Sequence, residues 1–180
     1  MNILIETDRI YLRDIEESDV HDMYEMDSDA EVHRYLGKNP VTTLDQSMEI
    51  IKDIQGQYER NNLGRSAIIE KATGAFVGWA GLKLEDKVRK EFNYYDVGYR
   101  LKRKHWGQGL GTEAARLSIV YGFETLNFDE IWGAADIENI GYNKILSRIG
   151  LKHEGSFMYK TTECNWYRLN KEEYRELKDK

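Results

Sequence analysis

The order of apolar and polar residues along the chain predicts short strands interrupted by amphipathic helices. Ile10-Tyr11-Leu12-Arg13 alternates with the period of two expected of a half-buried strand. Ser18 or Asp19 then offers an N-cap, followed by a short helix with Val20, Met23 and Tyr24 on one face. Thr43 and Gln46 stand at capping-box spacing, and the helix they open carries Leu44, Met48, Ile51, Gln55 and Tyr58 in register. It ends near Asn61-Asn62-Leu63-Gly64, where glycine suits a left-handed cap. Residues 66–70 and 75–82 flank a Thr73-Gly74 turn and predict a β-hairpin. A strand over about 93–102 runs into a glycine-rich loop. The helix after that loop has Ala115, Ile119, Gly122, Phe123 and Leu126 on one face and Ala114, Leu117 and Tyr121 elsewhere, so it is buried on several sides. Residues 131–135 read as a buried strand, and 141–149 as a helix with Tyr142, Ile145, Leu146 and Ile149 inward, ended by Gly150. Strand-like segments near 157–159 and 165–169 close the chain, and this order gives an α+β or mixed α/β sheet.

Composition narrows the class. A chain of 180 residues with 41% hydrophobic and 32% charged residues reads as one soluble domain over residues 1–180, with a single proline, Pro40, and no repeat or linker. No apolar run approaches ~18 residues and the N-terminus lacks a basic leader, so neither a membrane span nor a secretory signal is expected. Cys164 is the sole cysteine, which excludes an intramolecular disulfide and suits a reducing, cytoplasmic setting. The net charge of −6 argues against nonspecific nucleic-acid binding.

Chemistry concentrates in Trp106-Gly107-Gln108-Gly109-Leu110-Gly111-Thr112-Glu113-Ala114. Alternating glycines let the backbone turn sharply and approach a ligand, and the N–H groups that lead into a helix make an anion seat suited to a diphosphate. A merely glycine-rich tight turn is the plainer alternative. The spacing is G-x-G-x-G, which fits neither the G-x-G-x-x-G of a dinucleotide fold nor a P-loop, because Gly111 precedes Thr112 with no lysine.

The six positions from Trp106 to Gly111 resemble the acetyl-CoA loop of the GNAT N-acetyltransferases, Gln/Arg-x-x-Gly-x-Gly/Ala, with Trp106 in place of Gln or Arg. A Trp-Gly-x-Gly-x-Gly/Ala-Thr-Glu-Ala form is similar to the branch of Rim-type ribosomal-protein N-terminal acetyltransferases. Asn139 to Leu151 resembles a second family segment, with Tyr142 where serine is usual, and Thr7-Asp8-Arg9-Ile10-Tyr11-Leu12-Arg13 resembles the branch's opening. The resemblance runs from about residue 7 to about 170. It implies a mixed, mostly antiparallel sheet of about six or seven strands, splayed near its centre and flanked by helices. It also implies acetyl-CoA as co-substrate, with the backbone of Tyr99 to Leu101 and the Asn139 side chain on the pantetheine arm. Dimers are common in the family, although nothing in these residues specifies a homodimer.

Acetyl transfer from a thioester to an amine needs the two reactants held together, a deprotonated amine and a stabilised leaving thiolate. Backbone N–H groups from Gln108 to Thr112 are expected around the diphosphate. Asn139 equally suits an N-cap. Asp96 is the expected base, or else it orients the amine or pairs with a basic neighbour; Tyr142, and more weakly Tyr159, are the expected acids, with a core role the alternative for Tyr142. Glu113 is assigned to the helix start. His21, His33, His105 and His153 are scattered, so no metal is expected, and Cys164 is not needed as a nucleophile. Arg100, Lys102, Arg103 and Lys104 could attract cofactor phosphates, and the acidic run Asp19, Asp22, Glu25, Asp27, Asp29 and Glu31 could favour a cationic acceptor; for both, a solvated surface is the bland reading. The acceptor is then an amine; the Rim-type resemblance implies a peptide or protein N-terminal amine, with a small amine such as a polyamine or aminoglycoside the alternative. A non-catalytic CoA- or nucleotide-sensing module is the rival reading.

Overall fold

The computed structural model describes residues 3–89 and 91–179. Its strands are β1 (Ile3–Glu6), β2 (Ile10–Asp14), β3 (Arg65–Glu70), β4 (Phe76–Glu85), β5 (Tyr94–Leu101), β6 (Glu130–Asp136), β7 (Lys152–Tyr159) and β8 (Thr162–Asn170). They form one sheet in the order β1-β2-β3-β4-β5-β6-β8-β7. Every neighbouring pair is antiparallel except β5 and β6. The sheet therefore has eight strands rather than six or seven. The added one, β1, is a short edge segment with Ile3 exposed, too short to show a clear alternation.

The helices are α1 (Val20–Asp27), α2 (Leu44–Asn61), α3 (Leu110–Val120), α4 (Ile140–Arg148) and α5 (Lys171–Lys178). On one face of the sheet α3 lies across its middle. Ala115, Ile119 and Phe123 join Val97, Ile131, Leu146 and Leu169 in one cluster, and Leu110, Ala114 and Leu117 join Ile10, Ile68, Val77 and Leu101 in another. The expected burial of this helix on more than one side follows from its place between the two clusters. Helices α1 and α2 cover the other face, where Met23, Met26, Ile51 and Ile54 pack on Ala67, Ile69 and Phe76.

Local signals explain several boundaries. Thr43 accepts from Gln46 N, and the Gln46 side chain returns to Thr43 N, so the expected capping box opens α2. Its inward stripe is Ser47, Ile51, Ile54 and Tyr58, rotated from the expected one, and Leu44 is exposed. Asn62, with φ 55°, supplies the left-handed cap in place of Gly64. Asp19 is not a side-chain cap for α1; its carboxylate accepts from Glu16 N at 2.8 Å and from Arg13 at 2.7 Å. The last turn after α3, Tyr121–Thr125, is π-helical, and α5 follows an Asn170–Glu173 capping box beyond the last expected strand.

Candidate active site

Strands β5 and β6 meet at a single register pair, Asp96 and Trp132, and then diverge. Parallel neighbours normally share a continuous ladder, so the divergence leaves an open strand edge inside the sheet. Backbone groups of alternate residues point to the same side. The Val97 carbonyl faces the gap, where it accepts from Tyr142 Oη at 2.7 Å, and the Leu101 carbonyl accepts from Trp106 Nε1 at 3.0 Å. Tyr99 lies between them in the same phase and directs its N–H and C=O into the gap. An extended ligand with amide groups can pair there as an added strand.

The glycine loop lies at the wide end of this fork. Gly107 and Gly109 have φ 74° and 80°, the left-handed region that glycine enters without strain. A Cβ on Gly107 would meet nothing within 4 Å, and one on Gly109 would meet only Arg9 Nη1 at 4.0 Å, so the loop faces open space. Gly111 differs: a Cβ there would lie 2.6 Å from the Tyr99 ring, so its smallness seats α3 on β5. The first N–H groups of α3 have no acceptor within the helix, and its first turn closes with Glu113 N to Gly109 O at 3.1 Å. Gln108 turns its side chain back to the Lys104 carbonyl at 3.1 Å, which leaves its backbone to the loop. These groups suit a diphosphate, and the fork suits the arm attached to it.

Arg9, named above only within the opening segment, reaches the loop across the fold. Its guanidinium binds the Gln108 carbonyl at 3.0 Å and Glu113 at 3.2 Å, so it brings a positive charge to the loop. Glu113 also accepts from Thr7 at 2.6 Å, which ties the helix start to the β1–β2 turn.

Asp96 sits at the apex of the fork on the α1/α2 face. Arg65 binds its carboxylate, binds its carbonyl at 2.8 Å and also binds the Gly81 carbonyl. Gly98 makes room for this, since a Cβ there would lie 2.8 Å from Arg65 Nη2. Burial pushes the Asp96 carboxyl above its ordinary value, while the Arg65 charge opposes the rise. Tyr142, on α4, packs edge-on against Tyr99 with centroids 5.4 Å apart, and burial holds its phenol well above its ordinary pKa. Tyr99 is likewise pushed up, to about 12. The Asn139 side chain caps α4 by accepting from Tyr142 N at 3.1 Å. Asn143, one turn on, accepts from Asn165 at 2.7 Å and Tyr167 at 2.8 Å and donates to the Asp136 carbonyl at 2.8 Å, fastening α4 to β6 and β8. Tyr159 ends β7 at the β7–β8 turn, where it pairs with Thr162. The Cys164 thiol is buried and pushed up, so it is a poor nucleophile.

The two charged surfaces expected to face ligands face each other instead. Arg100 binds Asp27 at 2.6 Å, Lys102 binds Asp22 and Glu25, Arg103 binds Asp29 at 3.1 Å and Lys104 binds Glu25 at 2.8 Å. Arg13 takes Asp19 at 2.7 Å and Arg34 lies 3.9 Å from Glu31. The basic run is thus the clasp of α1 rather than a phosphate site, and the acidic run is not a free rim.

A split sheet facing the N-terminus of a buried helix, with an open glycine loop between them, defines an acyl-CoA-type acyltransferase fold. Residues 9–152 match the acetyltransferase (GNAT) domain model, and the chain belongs to that family of N-acetyltransferases. It is 32% identical over 149 residues to the uncharacterized N-acetyltransferase p20 of Bacillus licheniformis, covering 83% of this chain and 82% of that one. It is 26% identical over 151 residues to spermidine N(1)-acetyltransferase of Escherichia coli K12, covering 83% and 76%. The fold of RimL, a ribosomal L7/L12 α-N-protein acetyltransferase solved with coenzyme A, superposes with a TM-score of 0.80 at 15% identity, covering 94% and 98%. Among the described residues no helix is long and apolar enough to cross a membrane, and no group of three His, Cys, Asp or Glu could hold a metal ion.

Proposed function

We propose that this N-acetyltransferase binds acetyl-CoA along the β5 side of the fork and acetylates a primary amine that reaches Asp96 from the α1/α2 face. The observation that carries this reading is the fork itself: its apex is the Asp96–Trp132 pair and its open end meets the N-terminus of α3. Backbone N–H groups from Gln108 to Thr112, with Arg9 beside them, hold the diphosphate. The backbone of Tyr99 to Leu101 holds the pantetheine arm, and the Trp106 indole braces the strand end through the Leu101 carbonyl. Asn139 serves this site by starting α4, which brings Tyr142 to the gap.

Acetyl-CoA supplies the activated acetyl group as its thioester. An alkyl amine with an ordinary pKa of about 10.4, or an α-amine of about 8, arrives largely protonated at neutral pH. Asp96 takes that proton, directly or through water; its raised pKa makes it a stronger base than a surface aspartate, and Arg65 keeps it ionised. Tyr142 donates to the departing sulfur from a position where its proton already points across the gap. No covalent enzyme intermediate is required. A single cysteine, Cys164, free and buried, is compatible with a reducing, cytoplasmic setting.

The test is calorimetric titration with acetyl-CoA, NADH and ATP. Selective binding of acetyl-CoA, followed by amine-dependent release of free CoA, is the expected result. Absence of acetyl-CoA binding overturns the reading.

A further inference from the structure

On the face that carries Asp96, the half of the sheet built from β6, β7 and β8 bears a cluster of aromatic rings. Trp132 and Trp166 stack with centroids 4.7 Å apart. Phe157 meets Trp166 edge-on at 5.4 Å, and Phe92, from the β4–β5 connection, closes the group 5.6 Å from Trp132. Phe92, Trp132 and Trp166 line an open cavity of about 330 Å³ with Glu154, Gly155, Ser156 and Arg89. The chain itself places a cation on these rings. The Arg89 guanidinium lies 5.1 Å from the Phe157 centroid, 5.1 Å from Trp166 and 5.7 Å from Phe92, with its Nε bound to Glu91 at 3.1 Å.

We propose that this aromatic box receives a second cationic group of the acceptor, that the acceptor is a small di- or polyamine, and that Arg89 is a specificity-determining residue that occupies the box until the acceptor displaces it. The inference rests on the acetyl-transfer reading for the position of the reacting nitrogen, which is Asp96. Trp132 is the register partner of Asp96, so their side chains leave the same face of adjacent strands. An amine at Asp96 is therefore next to the box wall. Ring faces carry negative potential and attract ammonium and guanidinium groups within about 6 Å, while they repel anions. Glu154 sits at the rim of the cavity, where Arg168 holds it at 3.3 Å, and it adds a carboxylate that a second cation can share. A monoamine has no group to exchange for Arg89 and leaves the box closed. Arg89 is carried by a strand connection rather than a strand, so its removal from the box does not break the ladder.

The experiment compares spermidine, putrescine, butylamine and a short unmodified peptide as acceptors for the wild type, Arg89→Ala and Phe157→Leu, with spermidine calorimetry in saturating CoA alongside. The expected result is that the wild type prefers the polyamines. Arg89→Ala then lowers KM for spermidine by at least about fivefold, with little change for butylamine, because one competing cation–π contact is removed. Phe157→Leu, at a half-buried edge-strand position, raises KM for spermidine and lowers the spermidine-to-butylamine ratio. An unchanged or higher spermidine KM in Arg89→Ala overturns the proposal, as does a preference for butylamine or the peptide. If acetyl-CoA binds but no amine is acetylated, the acetyl-transfer reading fails. Spermidine binding that strengthens in Arg89→Ala and weakens in Phe157→Leu would still uphold the box, and binding insensitive to both would overturn it.

Discussion

Asp96 of β5 and Trp132 of β6 are register partners at the one point where the two halves of the sheet join. The pair closes the apex of a fork whose remaining edge is left to a ligand. It also sets the Asp96 carboxylate beside the aromatic half of the sheet.

Substituting the loop separates geometry from sequence likeness. Gly109→Val forces a β-branched residue to φ 80°, at a cost of roughly 1–2 kcal/mol before any contact with ligand is counted. We expect acetyl-CoA affinity to fall by at least about tenfold, read by calorimetry. Gly111→Val acts differently: its side chain meets the Tyr99 ring, so Tm falls together with affinity.

Asp96→Asn removes the proposed proton acceptor and takes from buried Arg65 the carboxylate it binds directly. The expected fall in kcat/KM is about 10²–10⁴-fold, with acetyl-CoA affinity retained. If Asp96 is the base, its protonation in the wild type abolishes turnover. Because burial raises its pKa, the acid limb of the rate profile lies above the ordinary aspartate range and the rate drops as pH falls through it. A pH-independent rate down to the ordinary range would rule Asp96 out as the base.

Tyr142→Phe deletes the hydroxyl that donates to Val97 O. Stability should fall by about 1 kcal/mol, measured by urea unfolding. If the phenol protonates the leaving sulfur, kcat falls by about 10²-fold or more with KM for acetyl-CoA steady. A loss of stability alone would identify the tie to β5 as its whole contribution.

Lys102→Met tests the charge clasp. The Lys102 ammonium is buried between Asp22 and Glu25, so its loss should cost about 1–3 kcal/mol in urea unfolding and leave acetyl-CoA affinity unchanged. A weakened affinity at full stability would restore the phosphate role to the basic run.

His33 lies against Asp27 at 3.7 Å with Arg100 nearby, and burial and the Arg100 charge lower its pKa from 6.5. The folded state therefore resists the proton that the unfolded state accepts. His33 contributes no penalty above about pH 6.5; stability is lost as pH falls from there toward the lower folded-state value. Denaturation midpoints across this range should show the loss, and His33→Gln should reduce it.

Local signals are legible in the chain where a few adjacent residues suffice. The Thr43–Gln46 box, the Thr73-Gly74 turn, the buried helix after the loop and the inward face of α4 each depend on spacing within one or two turns. The rotated stripe of α2 and the cap at Asn62 depart from the expected ones because Ser47 and Ile54 gain their burial from α1 and the sheet, and because Asn tolerates the left-handed region without glycine's help. Arg65 carries no local sign of its role; it reaches Asp96 only across the intervening strand β4.

What the sequence by itself determined is the glycine loop before a helix, the mixed order of strands and helices, and the family they resemble, because each is written in short-range periodicity and backbone freedom. Only the tertiary structure decided where the charges go. Lys102 and Asp22 are 80 positions apart, and each looked free to serve a ligand until the packing of α1 on β4 and β5 brought them together. The same holds for the box formed by Phe92, Trp132, Phe157 and Trp166. Its rings come from separate strands and a connection, and their meeting depends on the register of β6 with β8 and of β8 with β7, which no local pattern encodes.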